Sequence, residues 1–307
     1  MTHVNGHRSI TEVGTGMQSY YGRPVVKEPV WKPEIPFYFF TGGLGGAAAV
    51  LSLAASVAGN PELARAARYW GAVGDDVSPL LLISDLGRPE RFLNMLRVFK
   101  VTSPMSVGSW ILVVSSGASS TAAALELLDR LRPVKVAAEV VAALFGPALA
   151  TYTATLLSNT AIPVWHESRR ELPYVFGASA GASAGAACAL VLRPRDAGPA
   201  RRLAIGGVVA ENAAMLLMER RLGFVGEPYR RGLPGQLSRA AKATSAAGAA
   251  LLALRGRRSR GAAVAGSALV LGGEVLLRWA VFRAGFASAR DPRYTVIPQK
   301  ERKAKVA

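Results

Sequence analysis

Six ionisable residues, Asp75, Asp76, Glu139, Glu211, Glu274 and Arg278, fall inside long apolar runs. Charge is costly enough there that each marks either a function or a built-in pairing. Glu274 and Arg278 are spaced i, i+4, which puts both on one helix face and predicts a structural salt bridge. Glu211, followed by Asn212, has no local partner. It is either a protonated acid hydrogen-bonded to a neighbouring helix or one station in a proton path, and Asp76 and Glu139 are the other candidates for such a path. Asp75 and Asp76 sit early in their run, within reach of the short-loop interface, where solvated interface charge is the expected reading.

Two polar clusters lie between apolar runs. In the segment 85–104, Asp85 can accept hydrogen bonds or cap a short helix, Gly87 permits a tight turn and Pro89 suits the first turn of a helix. Phe92, Leu93, Leu96 and Phe99 then recur at helical spacing opposite Arg91, Asn94 and Arg97, which predicts an amphipathic helix over 90–99 lying along the membrane surface. The second cluster, 159–173, contains Trp165, His166, Arg169 and Arg170 and comes after a run ending in Thr151, Tyr152, Thr153 and Thr155. Hydroxyls beside Trp, His and Arg could hold a carbonyl-bearing ring in an apolar cleft, although an aromatic belt with positive anchors fits the spacing as well.

The elements that must position these residues are transmembrane helices. The chain has 307 residues, is 50% hydrophobic and only 19% charged, and its apolar residues fill every face of long segments with neither helical nor strand periodicity. Spans are expected at 36–59, 68–84, 105–128, 134–158, 173–193, 201–219, 238–254 and 261–283. The expected fold is therefore all-α: a polytopic membrane bundle of about eight transmembrane helices, with an interfacial amphipathic helix after the second span. It divides into an extramembrane tail 1–35, a helical domain 36–283 and a basic tail 284–307. The tail 1–35 has no apolar signal region, so the first span is expected to be retained. Gly42, Gly46, Gly177, Gly181 and Gly185 stand at helix-contact spacing.

The net charge of +17 resides mostly in loops and tails, as topology signals and anchors to lipid phosphates rather than a nucleic-acid surface. The basic short loops, among them Arg255-Gly-Arg-Arg-Ser-Arg260, favour the cytoplasm, which leaves the termini outside. Three histidines, two of them His3 and His7 in the tail, leave His166 as the one possible haem ligand near the bundle, and the single Cys188 cannot bind a cluster. No haem and no intrinsic iron–sulfur cluster are expected.

Asp85-Leu-Gly-Arg-Pro-Glu-Arg-Phe92, Asn94-Met-Leu-Arg97 and Ser103-Pro-Met-Ser-Val-Gly-Ser-Trp110 resemble the hallmark of the NrfD / polysulfide reductase membrane-subunit family. Tyr20–Pro36 and Pro163–Pro173 resemble it too, so the likeness spans most of the chain. The resemblance implies an eight-helix anchor in a bacterial inner membrane, without a redox centre of its own. Such an anchor docks a ferredoxin-like four-iron-cluster subunit joined to a molybdopterin catalytic subunit, as in formate dehydrogenase or sulfur-compound reductases. It also implies electron exchange with a membrane quinone, menaquinone being favoured. Tyr152 matches the family's quinone-contacting Tyr, and His166 would be a second donor to the ring carbonyls. Asp85 and Arg88 would organise the site, and Trp31, Lys32, Arg91, Trp165, Arg169 and Arg170 would form the docking rim. The family's His or Asn at the start of the first span is missing from Ile35-Pro-Phe-Tyr-Phe-Phe40. The alternative is a structural anchor, or a transporter using Glu211 and Asp76, for which no internal repeat is visible.

Overall fold

A computed structural model describes residues 24–306, so His3, His7 and the Tyr20 end of the tail motif lie outside the described residues. Among the described residues eleven α-helices run in the order α1 (Glu34–Val57), α2 (Pro61–Asp85), α3 (Phe92–Met95), α4 (Pro104–Leu127), α5 (Arg132–Ser158), α6 (Pro163–Glu167), α7 (Leu172–Val191), α8 (Gly198–Leu222), α9 (Gly232–Leu254), α10 (Arg260–Arg290) and α11 (Arg293–Val306). The eight long helices before α11 overlap the eight expected segments, with shifted ends. Five of them, α1, α4, α5, α7 and α10, are long and apolar enough to cross a membrane; α2, α8 and α9 do not reach that standard.

Local sequence explains the boundaries. The Asn60 side chain accepts from the Leu63 amide at 3.1 Å, and Pro61 fills the first position of α2, where a missing N–H costs nothing. The helix thus starts well before the apolar run expected at 68, because Glu62, Arg65 and Arg68 occupy its first turns. Ser103 and Ser259 cap α4 and α10 in the same way. Asp129 and Leu131 adopt positive φ in the turn between α4 and α5.

Consecutive long helices pack against one another, and small residues set how near they come. A Cβ on Gly46 of α1 would strike the Gly146 carbonyl of α5, and one on Gly146 would strike the Gly46 carbonyl. Gly185 of α7 meets the backbone of Ala200 and Ala204 of α8 in the same manner, so these two helix-contact glycines are at backbone crossings. Gly177 and Gly181 instead line an open apolar groove of about 370 Å³ with Ala47, Leu51 and Thr151. Side chains such as Leu144 (71% exposed) and Leu217 (62%) point outward, as a lipid-facing surface requires.

Two expected elements differ. The surface helix over 90–99 shrinks to a 3₁₀ turn at Pro89–Arg91 and the single turn of α3. Ser106 ends it: its hydroxyl accepts from the Lys100 amide and donates to the Val98 carbonyl, both at 3.0 Å, taking backbone groups that a longer helix would bond internally. At the other end of the chain α10 runs past the expected limit at 283 to Arg290, and the basic tail forms α11.

Candidate functional site

At the end of the bundle that carries α6 and α11, the tail before α1 is tied down by backbone and aromatic contacts. The Lys32 amide donates to Asp85 Oδ1 at 2.8 Å, so Asp85 at the end of α2 clamps the tail that precedes α1. Trp31 stacks on Trp165 with ring centroids 5.5 Å apart. Trp165 is fully buried, donates to the Val281 carbonyl at 2.8 Å and packs on Phe282 and Phe286. A docking partner cannot reach it; its role is to seat α6 and the tail against α10, and this corrects its expected place on the rim. Lys32, Arg91, Arg169 and Arg170 are exposed, and Arg88 is exposed beside Asp85.

The electrostatics of this end come from short-range pairs. Arg290 is hydrogen-bonded to Glu28 at 2.9 Å and holds that carboxyl below its ordinary range. Arg293 does the same to Asp291. Burial, reinforced by a 2.9 Å bond to Glu227, pushes the Tyr294 hydroxyl up to about 12, so it stays a donor.

Tyr152 and His166 are not brought together. Tyr152, half-buried, lies against Gly108 of α4, where a Cβ would collide with its ring, and meets Tyr38 of α1 edge-on at 6.4 Å. The Tyr38 hydroxyl is buried and has no hydrogen-bond partner, and Trp110 Nε1 and Glu34 Oε2 are buried without one as well. His166 is exposed, its Nδ1 lies 3.2 Å from the Ser158 carbonyl, and it lines a 220 Å³ pocket with Tyr294, Pro298 and Arg302, which pairs with Glu167 at 2.8 Å. The Tyr152–Tyr38 pair was legible only in part: the motif that marks Tyr152 says nothing of Tyr38, which reads as one more aromatic in a span.

The interior acids sort into three groups. In the middle of α2, Asp75 is buried and its Oδ2 accepts from Ser115 at 2.7 Å and Ser119 at 2.6 Å, both on α4, while Oδ1 has no partner. Asp76 is exposed and accepts from Ser120 at 2.6 Å. The interior aspartate is therefore Asp75, and the expectation of an interface charge fails for it because the helix begins seven residues earlier than the apolar run.

Near the opposite end of the bundle, Arg68 is a buried fork. It contacts Glu139 of α5 at 2.9 Å and Glu126 of α4 at 3.0 Å. Ser56 donates to Glu139 at 3.0 Å and Ser52 bonds it too, while Lys135 and Arg65 hold Glu126 at 2.7 and 3.0 Å. This network borders a cavity of about 240 Å³.

In the third group, Glu211 of α8 and Glu274 of α10 lie within hydrogen-bonding reach of each other, and Ser179 donates to Glu274 Oε2 at 2.5 Å. The expected Glu274–Arg278 salt bridge does not form. The Arg278 guanidinium is turned onto the Phe176 ring, 3.8 Å from its centroid, and onto the Phe176 carbonyl at 3.2 Å. Spacing on one helix allows the pair, but Phe176 on the facing α7 takes the guanidinium instead.

Fold and site together define a helical membrane protein with polar groups threaded through its interior. The family model for NrfD, polysulphide reductase, matches residues 24–218, more than half of the chain, and the chain belongs to that family. Membership makes it a membrane subunit of polysulphide-reductase-like complexes, a family that typically partners with oxidoreductase subunits. The match ends within α8, so α9, α10 and α11 lie beyond it. No curated protein matches the chain.

Proposed function

We propose that this chain is the quinone-reactive membrane anchor of a molybdopterin oxidoreductase complex in a bacterial inner membrane, with all eight long helices crossing the bilayer. A ferredoxin-like subunit with four-iron clusters docks on the end that carries Asp85 and α6, and a molybdopterin subunit of the formate dehydrogenase or sulfur-compound reductase kind supplies or takes the electrons. The quinone, menaquinone by preference, is the substrate at this end. Exposed Lys32, Arg91, Arg169 and Arg170 offer a positive rim to the partner.

The observation that carries the reading is the buried, unpartnered hydroxyl of Tyr38 set edge-on to Tyr152 beneath the Lys32–Asp85 clamp. A buried hydroxyl without a partner forgoes about 1–3 kcal/mol, and a ring carbonyl is an acceptor that recovers it. Tyr38 stands in the first span near where the family's His or Asn would be, and so takes the second-donor role expected of His166. Asp85 and Arg88 form the outer edge. Quinone reduction also consumes two protons, and the Arg68–Glu139 cavity, Asp75 and Glu211 are the interior groups from which a supply route would be built.

The test is quinone-linked turnover of the complex carrying Tyr38→Phe, Tyr152→Phe or His166→Ala. Both phenylalanine variants are expected to lower turnover at least tenfold with the partners still bound, and His166→Ala to leave it near the wild-type rate. Wild-type turnover in both phenylalanine variants would remove the site from the Tyr38–Tyr152 pair.

A further inference from the structure

Among the interior acids, Glu211 and Glu274 meet in a way that quinone chemistry does not explain. Both side chains are at most 1% exposed, at the middle of α8 and α10. Their carboxyls face each other, yet Glu211 Oε2 and Glu274 Oε1 are reached by no donor. Two ionised carboxylates offer each other only acceptors, so this contact is repulsive unless a proton lies in it.

The surroundings fix how many protons that is. On α7 the facing group is Ser179, which donates to Glu274. On α8 the neighbouring Asn212 spends its amide on the Val208 carbonyl at 2.8 Å. On α9 the nearest charge is Lys242, already paired with Glu219 at 2.6 Å. On α10 Arg278 is 1% exposed, and its Nε and Nη1 have no partner. From α1, Gly43 approaches, 3.2 Å from Arg278 Nη2 to where its Cβ would be. Glu211, Glu274 and Arg278 are thus an isolated set in an apolar interior, where uncompensated charge is expensive. With no proton the set carries one net negative charge, with two it carries one net positive charge, and with one it is neutral.

We propose that Glu211 and Glu274 bind a single proton between them, so that the middle of α8 and α10 is a proton-binding site. The proton makes one carboxyl the donor to the other, and the charge that remains on the pair balances Arg278. Ser179 orients Glu274 for the exchange. Glu211 and Ser179 lie within the residues matched by the family model and Glu274 and Arg278 beyond them, so the site joins matched helices to the C-terminal α10. It shares Glu211 with the supply route of the proposed function, but its proton is bound with neither a quinone nor a partner subunit present, so its test is read independently of quinone turnover.

The test is infrared spectroscopy of the full chain in lipid nanodiscs, with Asp75→Asn as background to remove the other buried acid without a salt bridge. One carboxylic C=O band per chain is expected, shifting in D₂O. It should vanish in Glu211→Gln and equally in Glu274→Gln, because the new amide donates to the remaining carboxylate and leaves it ionised. Absence of the band in the background chain overturns the proposal, and so does a band that survives in either single variant, which would mean one acid protonated by itself. Should a glutamine variant fail to fold, ¹³C-labelled glutamate in the background chain decides: a carboxylic band that shifts with the label supports the shared proton, and none refutes it.

Discussion

Replacing Arg68 tests whether the polar network near the α1–α2 turn is a stability element. The guanidinium, 7% exposed, bridges Glu139 (5%) and Glu126 (12%) from a different helix than either. Arg68→Ala leaves Glu139 buried with only Ser52 and Ser56 as donors, whereas Glu126 keeps Lys135 and Arg65. Removing one partner of a buried pair costs about 3–5 kcal/mol because the other charge is stranded. At roughly 2–4 °C per kcal/mol for a chain of a few hundred residues, that is a fall of about 6 °C or more in the unfolding temperature. Arg68→Lys supplies one point charge where the fork bridged two carboxylates, and is expected to lose about half as much. Arg68→Met with Glu139→Leu removes charge from both sides and should recover most of the loss. Thermal unfolding of the purified protein in detergent, followed by tryptophan emission, reads all three. If Arg68→Ala unfolds at the wild-type temperature, or the double variant is worse than the single, the stranded-charge argument is wrong.

Gly108→Ala is expected to displace the Tyr152 ring, since the added methyl falls on it, and to lower quinone-linked turnover while the unfolding temperature falls by only a few degrees; unchanged turnover would separate Tyr152 from the reaction. Trp165→Ala empties a fully buried site beneath Trp31 and should cost about 3–5 kcal/mol, seen as a lower unfolding temperature. Glu28 is held below its ordinary 4.5 by Arg290, so the bond stabilises the tail above that pH and is lost as pH falls through the folded value. Hydrogen exchange of residues 24–33, corrected for intrinsic rate, should therefore rise on acidification in the wild type and show no step in Glu28→Gln.

Hydropathy locates the long helices because lipid demands runs of apolar residues whatever their partners are. It misplaces the start of α2, where Arg65 and Arg68 are helical but face a polar cavity, and through that start it misjudges Asp75. Faces cannot be read the same way: Asp75 and Asp76 are adjacent letters, yet one meets α4 serines inside the bundle and the other is exposed. The Glu274–Arg278 spacing is a true one-helix signal that loses to Phe176 on α7, a residue no local pattern links to Arg278. Trp165 reads as a belt residue because the sequence does not show that Trp31 folds over it. The motif from Asp85 to Phe92, which resembles the family's hallmark, lies inside the residues the family model matches, while the helix expected over 90–99 is cut short by Ser106 farther along the chain.

The most direct test of the central claim is to purify the chain from its native membranes in mild detergent and identify by mass spectrometry every protein and lipid-soluble cofactor that comes with it. A four-iron-cluster subunit, a molybdopterin subunit and a quinone, with the quinone lost from the Tyr38→Phe, Tyr152→Phe double variant, is the expected result. Recovery of the chain without an oxidoreductase partner and without quinone, under detergent conditions that preserve a known membrane complex from the same cells, would contradict it.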